Sequence, residues 1–580
     1  MRASLLAAAT GVACLLLPAA PAAAGDPIMP LSEVRSGMQC TGYSVVRGTD
    51  ISSFAVEVID VVAAEPGADT AMILVEASGP AVDATGIGPG FSGSPVYCGG
   101  RNIGAISESI GDYGGKVVLA TPIESILANP VDPPTAGAAS PRAAAALKRI
   151  RREGTRPLMA PLTVSGVHPK IGRALEQAGK RLGRPVAASP AGPLGSFPPQ
   201  TLRPGSAVAT GYSNGDVRMS AVGTVAYTDA DRVWAFGHPF EGVGARSLFL
   251  QDAYVYKVVN DPNASLTGGS YKLAAPGHDV GIVTNDAFAA VVGRVSALPP
   301  TTSVEVFAKD ADTGVTRAVR TGVVDETDVD NPTGFTPLGS VAPLAVAQAA
   351  GTTMQSAPGR LTGRMCITIR LRERPDRPAR FCNRYVSSTG FFEGGADPLS
   401  NQIAVAAAFD TADAISLIEI YEGRPPHVAS VRASVEMRRG ERVARLLGVR
   451  APKRVRAGSK VTLRVRMQRY RGDAFTKRYR VRIPRGVKPG RRPLELGLDE
   501  ETLSEDELLE LILGIDPDGD DDEEIKSPVS LNDLLERIEG LGRWDGVQLR
   551  VGRKRARGFL DRDLVIDGSA RTTVRVVRRR

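Results

Sequence analysis

The sequence predicts a mainly β protein of several units, and three features predict it. Glycine and proline are abundant, 63 and 42 of 580 residues, while aromatic residues make up 5%; that composition suits many short strands joined by turns rather than helix bundles. Apolar and polar residues alternate with a period of two in several segments. Beyond about Gly363 the alternating runs lengthen, which reads as a β-sandwich with a wet outer face.

The chain opens with Met1-Arg2-Ala3, an apolar run from Leu5 to Leu17, and small residues ending Ala22-Ala23-Ala24 before Gly25. Residues 1–24 therefore read as a secretory signal peptide. The apolar run is shorter than the roughly 20 residues of a membrane-spanning helix, so the mature chain is expected to lack a transmembrane segment and to be secreted or held in the cell envelope. Cys14 sits in that run, but Gly11 stands where a lipoprotein signal carries a large aliphatic residue. Cys40, Cys98, Cys366 and Cys382 follow, an even number that favours disulfides in an exported chain. The preferred pairing is Cys40 with Cys98 and Cys366 with Cys382, because each couple lies within one unit. No couple has the spacing of a zinc knuckle, so no metal site is expected.

Residues 25–130 form the first β unit. Phe54, Val56 and Val58 alternate with Ala55, Glu57 and Ile59, Ala71 to Val75 is an apolar run, and Val96-Tyr97 and Ile103 to Ile106 flank Gly99-Gly100-Arg101-Asn102 as a hairpin. Residues 131–204 are a Pro-, Ala- and Arg-rich linker around a small element of undefined type. A second β unit fills 205–300, with Val222 to Tyr227 and Arg232 to Phe236 around the turn Asp229-Ala230-Asp231. Residues 301–362 connect it to the β-sandwich, 363–498, in which Val431, Ala433, Val435 and Met437 oppose Arg432, Ser434, Glu436 and Arg438. Val461, Leu463, Val465 and Met467 repeat the device. An acidic helical segment, 499–545, carries Ser504 with Glu507 as a capping box and Ser530 capping Leu531, Leu534, Leu535 and Ile538. Residues 546–580 are a strand with a basic end.

The chemistry concentrates at Gly86-Ile87-Gly88-Pro89-Gly90-Phe91-Ser92-Gly93-Ser94-Pro95. Glycines on both sides of Ser92 allow a tight, open turn that presents the hydroxyl and aims neighbouring N–H groups at one point, so Gly90 and Ser92 are the expected oxyanion-hole donors. Pro95-Val96-Tyr97 then starts a strand. An esterase-type nucleophile elbow would run into a helix instead, and Ser94 occupies its second glycine position. The base must come from four histidines, His168, His238, His278 and His427. His238 ends a strand in Trp234-Ala235-Phe236-Gly237-His238-Pro239, a rigid edge suited to aiming an imidazole; His278, beside Pro276-Gly277 and Asp279, is the reserve.

At these two motifs the chain resembles the SpoIVB-type sporulation peptidases and their envelope relatives. Their nucleophile lies in Gly-Met-Ser-Gly-Ser-Pro followed by a hairpin with Ile-Gly-Ala, matched by Gly90 to Pro95 and Ile103-Gly104-Ala105. Their histidine lies in a Gly-His segment, matched by Gly237-His238. The resemblance covers roughly residues 36 to 300. It implies a trypsin-like double β-barrel whose two halves are the two β units, with Ser92 as nucleophile and His238 as base in acyl-enzyme hydrolysis of peptide bonds.

The chain departs from the family in three ways. The serine segment precedes the histidine segment, a permuted order that a triad tolerates because geometry defines it. No segment reads as a PDZ domain. The family's acid position is Ala77 here, which leaves Asp83 as the expected acid, with Glu76 and Asp286 as alternatives. A catalytically degenerate relative acting as an envelope binding or scaffold protein is the competing reading.

The net charge of +8 is uneven, with arginine dense from Arg432 to Arg492 and acid dense from Asp499 to Glu524. The run Asp516 to Glu524 lacks the sixth-place glycine and distal glutamate of an EF-hand loop and reads as a solvated acidic loop. The expected partner is a protein or peptide substrate, with no nucleic acid and no cofactor; the arginine-lined strands read first as an ordinary charged sheet face, with an anionic cell-wall polymer as the alternative.

Overall fold

The fold was analysed in a computed structural model, which describes residues 25–63, 71–110, 115–133, 155–157, 161–184, 186–189, 197–260, 270–329, 336–354, 361–387, 401–440, 442–497, 505–513, 527–541, 547–561 and 563–577. Residues 1–24, read above as a signal peptide, Ser504 and the acidic run Asp516 to Glu524 lie outside them. Strand accounts for 53% and helix for 16%, so the protein is mainly β. Among the described residues no helix is long and apolar enough to cross a membrane.

In the first unit Phe54, Val56 and Val58 turn inward and are buried, as their period predicts. Six strands carry that pattern round a closed antiparallel barrel: β1 (Gln39–Arg47), β2 (Asp50–Ala63), β3 (Ala71–Ser78), β4 (Pro95–Cys98), β5 (Arg101–Ile110) and β6 (Val117–Pro122). The pairing order is β1-β2-β3-β6-β5-β4, and β4 returns to β1. Gly99 and Gly100 take φ of 57° and 78° in the β4–β5 turn, the left-handed pair that a two-residue hairpin requires. The Cys40–Cys98 disulfide is formed and ties β1 to β4, where the ring closes.

The second unit repeats the winding. Its strands are β7 (Ala207–Gly211), β8 (Arg218–Asp229), β9 (Arg232–Ala235), β10 (Gly244–Asn260), β11 (Ser270–Ala287) and β12 (Ala290–Arg294). They pair in the order β7-β8-β9-β12-β11-β10, with β7 bonded to both β8 and β10, and every pairing is antiparallel. The small element between the units is a strand, a helix and a parallel strand, Leu162–Ser165, Pro169–Arg181 and Val186–Ser189, which extends this sheet from β8. Two apolar patches join the units: Val45 and Ile51 pack with Val222, Val255 and Ala274, and Ala105 and Ile123 pack with Trp234 and Val292.

The region after the second unit differs from expectation. Residues 301–362 do not merely connect: Thr301–Asp310 and Thr316–Val324 are strands and Pro337–Thr353 is a helix. With Leu361–Leu371, Ala379–Ser387, Val428–Arg439 and Ser213–Gly215 the strands make a six-stranded sheet, and Pro337–Thr353 packs with a second helix, Gln402–Glu419, in its core. The first helix is buried on nearly every side and the second leaves only a narrow edge exposed at Gln402, Asp413 and Glu419, so neither shows the broad polar face by which helical periodicity is recognised. Val431, Ala433, Val435 and Met437 are buried under this helical layer rather than in a sandwich. Cys366 and Cys382, opposite one another on adjacent strands, form the second disulfide.

The sandwich itself begins at Val443. A four-stranded sheet (Val443–Arg450, Lys460–Arg469, Ala474–Arg482, Val565–Asp567) faces a five-stranded sheet that includes Gly490–Gly497 and the C-terminal Ala570–Val577. Residues 546–580 are thus part of it, not a separate tail. The helices Glu505–Ile512 and Leu531–Gly540 bury Leu508, Leu509, Leu534 and Leu535 in the helical layer of the preceding unit, and Ser530 caps the latter by accepting from the Asp533 N–H at 3.2 Å.

The Cys40–Cys98 link closes a loop with a sequence separation of 58. Chain-entropy reasoning gives such a loop about 4 kcal/mol. Replacing both cysteines by alanine should lower the urea-unfolding free energy by that order, and an unchanged midpoint would show that the ring closes without the link.

Candidate active site

Ser92 and His238 occupy equivalent places in the two units. Ser92 lies in the connection from the third strand of the first barrel to the fourth, β3 to β4, and His238 in that of the second, β9 to β10. Both connections meet at the junction of the barrels. The Thr224 N–H of β8 donates to the Ser92 carbonyl at 2.8 Å, and the Phe236 N–H donates to the Thr224 carbonyl at 3.2 Å. The Gly93 N–H donates to the Ile106 carbonyl of β5 at 2.7 Å, and Gly237 lies against the same backbone while its carbonyl accepts from Thr121 Oγ1 at 2.7 Å.

The glycines of the serine loop are fixed by this contact. A Cβ on Gly93 would stand 1.9 Å from the Thr224 carbonyl oxygen and 2.6 Å from the Phe236 nitrogen, and one on Gly88 1.7 Å from the Ser270 carbonyl oxygen. Gly93 also has φ of 89°, where a side chain would be strained. The loop is glycine-rich because another barrel's backbone lies against it.

Ser92 is 0% exposed, and its Oγ hydrogen-bonds to no described residue, His238 included. Neither does the Gly90 or the Ser92 N–H find an acceptor among the described residues, whereas the next two N–H groups are committed to Ile106 and Phe91 carbonyls. A buried hydroxyl beside two buried N–H donors is costly unless it serves a ligand.

His238 is 4% exposed. Its Nδ1 lies 2.7 Å from the Pro239 carbonyl oxygen, which requires the proton on Nδ1 and makes Nε2 the basic nitrogen of the neutral ring. The chain reaches it through Phe236, a buried non-glycine residue at φ 66°, a conformation that costs on the order of 1 kcal/mol or more and is held by its surroundings.

The three candidate acids separate. Asp83 is surface-exposed and pairs with Lys116 at 2.7 Å, a hydrogen bond that holds its carboxyl below the usual range. Glu76 is exposed on β3, opposite Glu57. Asp286, near the end of the fifth strand of the second barrel, β11, is buried and accepts from the N–H groups of Phe240, Glu241 and Gly242 at 2.6, 2.6 and 2.8 Å. Burial pushes its pKa up, against the pull of Arg246 and these donors. It thereby fixes the turn that follows His238, while the ring's Nδ1 is met by a carbonyl rather than by a carboxylate. Arg246 ties the same turn down through Glu241 at 2.6 Å and through Glu326 at 2.8 Å. The other histidines serve elsewhere: His168 caps a helix, His278 pairs with Asp252 at 3.1 Å, and His427 with Asp325 at 3.0 Å.

One residue of the junction has no signal in the sequence. Lys272 of β11 is buried; its Nζ lies 2.7 Å from Ser44 Oγ, 3.1 Å from Thr224 Oγ1 and 4.6 Å from the centre of the Phe91 ring. Thr224 Oγ1 donates to the Gly90 carbonyl at 3.0 Å, Ser94 Oγ lies 2.9 Å from Ser44 Oγ, and the Lys272 N–H donates to the Pro89 carbonyl at 2.9 Å. The cluster holds the serine loop from both sides. Burial pushes the Lys272 ammonium down to about 7.

The chain matches no family model, and no curated protein or solved structure matches it.

Lys272 gives a signed pH dependence. Between pH 7 and about 10.4 the unfolded chain holds a proton on this amine that the folded chain does not, so folding stability rises with pH across that window, by up to about 1.4 kcal/mol per unit. Lys272→Met should remove that slope, measured as urea-unfolding free energy at pH 7, 8 and 9; an identical slope in the variant would mean that the buried amine keeps its proton.

Proposed function

We propose that this chain is a serine endopeptidase, exported to the cell envelope or beyond, that cleaves peptide bonds through an acyl-enzyme on Ser92. The observation that carries the reading is the unsatisfied Ser92 hydroxyl, buried beside the Gly90 and Ser92 N–H groups where the histidine-bearing connection of the second barrel meets the serine loop. Two antiparallel barrels of one winding order, each giving one functional side chain from its third connection, support a trypsin-like double barrel in permuted order. The two disulfides favour an extracytoplasmic setting.

In this reading Ser92 Oγ attacks the scissile carbonyl and passes its proton to Nε2 of His238. The tetrahedral oxyanion accepts from the Gly90 and Ser92 N–H groups, and His238 returns the proton to the leaving amine. Water then repeats the sequence on the acyl-enzyme. Asp286 acts as a positioning residue by holding Phe240 to Gly242. Ser92 is covered here, so substrate reaches it only when the covering residues move.

That burial, with the Pro239 carbonyl at Nδ1 of His238, favours a second reading as a degenerate relative that binds without cleaving. A fluorophosphonate probe separates the two. Covalent labelling that vanishes in Ser92→Ala and falls at least a hundredfold in His238→Ala, with both variants folded, supports the peptidase; an inert Ser92 in folded protein supports the binding reading.

Asp286→Ala strands three part-buried N–H groups, and a loss of about 3 kcal/mol in unfolding free energy is expected. Asp286→Asn, which keeps an acceptor oxygen, should recover part of that loss. Equal stability of all three proteins would remove Asp286 from this role.

A further inference from the structure

We infer that the outer face of the four-stranded sandwich sheet is a docking surface for a linear, phosphate-bearing polymer outside the cytoplasm. Arg450, Arg464 and Arg478 stand directly opposite one another on three neighbouring strands. Arg466, Arg480 and Arg482 project from the same face, and Lys460 lies opposite Arg482. All seven are exposed. Among the described residues no carboxylate pairs with any of them, and the uncharged positions between them are Thr462, Thr476 and Gln468.

This is not the pattern of a face that serves solubility alone. Such faces mix both signs, and like charges directly opposite on adjacent strands destabilise a sheet. Three guanidinium groups in one cross-strand row therefore weaken the free protein, and a bound polyanion removes the repulsion. Six of the seven cations are arginine, whose planar fork bonds phosphate oxygens in pairs where lysine offers a point charge.

The shape of the surface narrows the partner. Cations recur roughly 7 Å apart along a strand and 5 Å across strands, a lattice that a flexible chain of phosphates can follow in more than one register. A bilayer-docking face needs a band of apolar side chains to insert, and a nucleic-acid platform needs exposed aromatic rings for base stacking. Here the one large exposed apolar residue among these strands' outward positions is Leu447, and no aromatic ring lies between the arginines. The two disulfides set the polymer outside the reducing cytoplasm.

The test uses the whole mature chain and long-chain inorganic polyphosphate, titrated over a series of salt concentrations. Binding is expected with a steep linear fall of log affinity against log salt. The triple substitution Arg450→Gln, Arg464→Gln, Arg478→Gln should weaken binding at least tenfold and reduce the slope by about 2, three lost contacts at ~0.7 each. The same variant should melt no lower than the parent, which separates lost contacts from lost fold. No binding at low salt, or unchanged affinity in the folded triple variant, overturns the proposal. So does tighter binding to phosphatidylglycerol vesicles or to single-stranded DNA than to polyphosphate. Peptidase activity is not needed for any of these readings.

Discussion

Everything at the junction depends on backbone of one barrel touching backbone of the other. The Ser92 carbonyl and the Thr224 N–H close one hydrogen bond across the seam, and Gly93 lets the two chains approach more nearly than any side chain would allow. Once that contact is made, the positions on either side are no longer free. Ser92 precedes Gly93, Phe236 donates to Thr224, and His238 follows two residues later. A serine and a histidine 146 positions apart (238 less 92) are thus placed by one short stretch of sheet.

The cluster behind the loop shows what stability alone would not choose. Burial pushes the Lys272 ammonium down to about 7, so holding it there weakens the fold at neutral pH. An apolar side chain buried there would instead contribute about 1.5 to 3 kcal/mol. The amine, two hydroxyls and a carbonyl fix the register of the loop against β11 in a way that methylene groups could not, because hydrogen bonds are directional and apolar contact is not. Phe236, held at positive φ, belongs to the same bargain between local strain and a defined geometry.

Much of this was legible in the sequence where the signal is local. The alternation at Phe54 to Val58, the Gly99-Gly100 turn and the Ser530 cap follow from neighbouring residues, and both disulfide pairings follow from each couple lying within one unit. The helical layer was not legible, because Pro337–Thr353 is apolar nearly all round and Gln402–Glu419 leaves only a narrow polar edge at Gln402, Asp413 and Glu419, too little to read as a period. The strand at Val431 alternates whether helices or a second sheet cover its inner side, so its pattern could not choose between them. Among acids, proximity along the chain favoured Asp83, yet the residue that touches the histidine turn is Asp286, brought there by the pairing of β10 with β11. Lys272 looked like any lysine on a strand; only burial by the other barrel distinguishes it.

The shared winding of the barrels bears on how such a chain can arise. Each ring closes through its own strands, first to second to third, then sixth, fifth and fourth, and neither borrows a strand from its companion. Swapping their order along the polypeptide would leave the six ladders of each ring intact and would change only the connections before, between and after them. Which half is synthesised first is then a matter of gene arrangement, invisible to the folded seam.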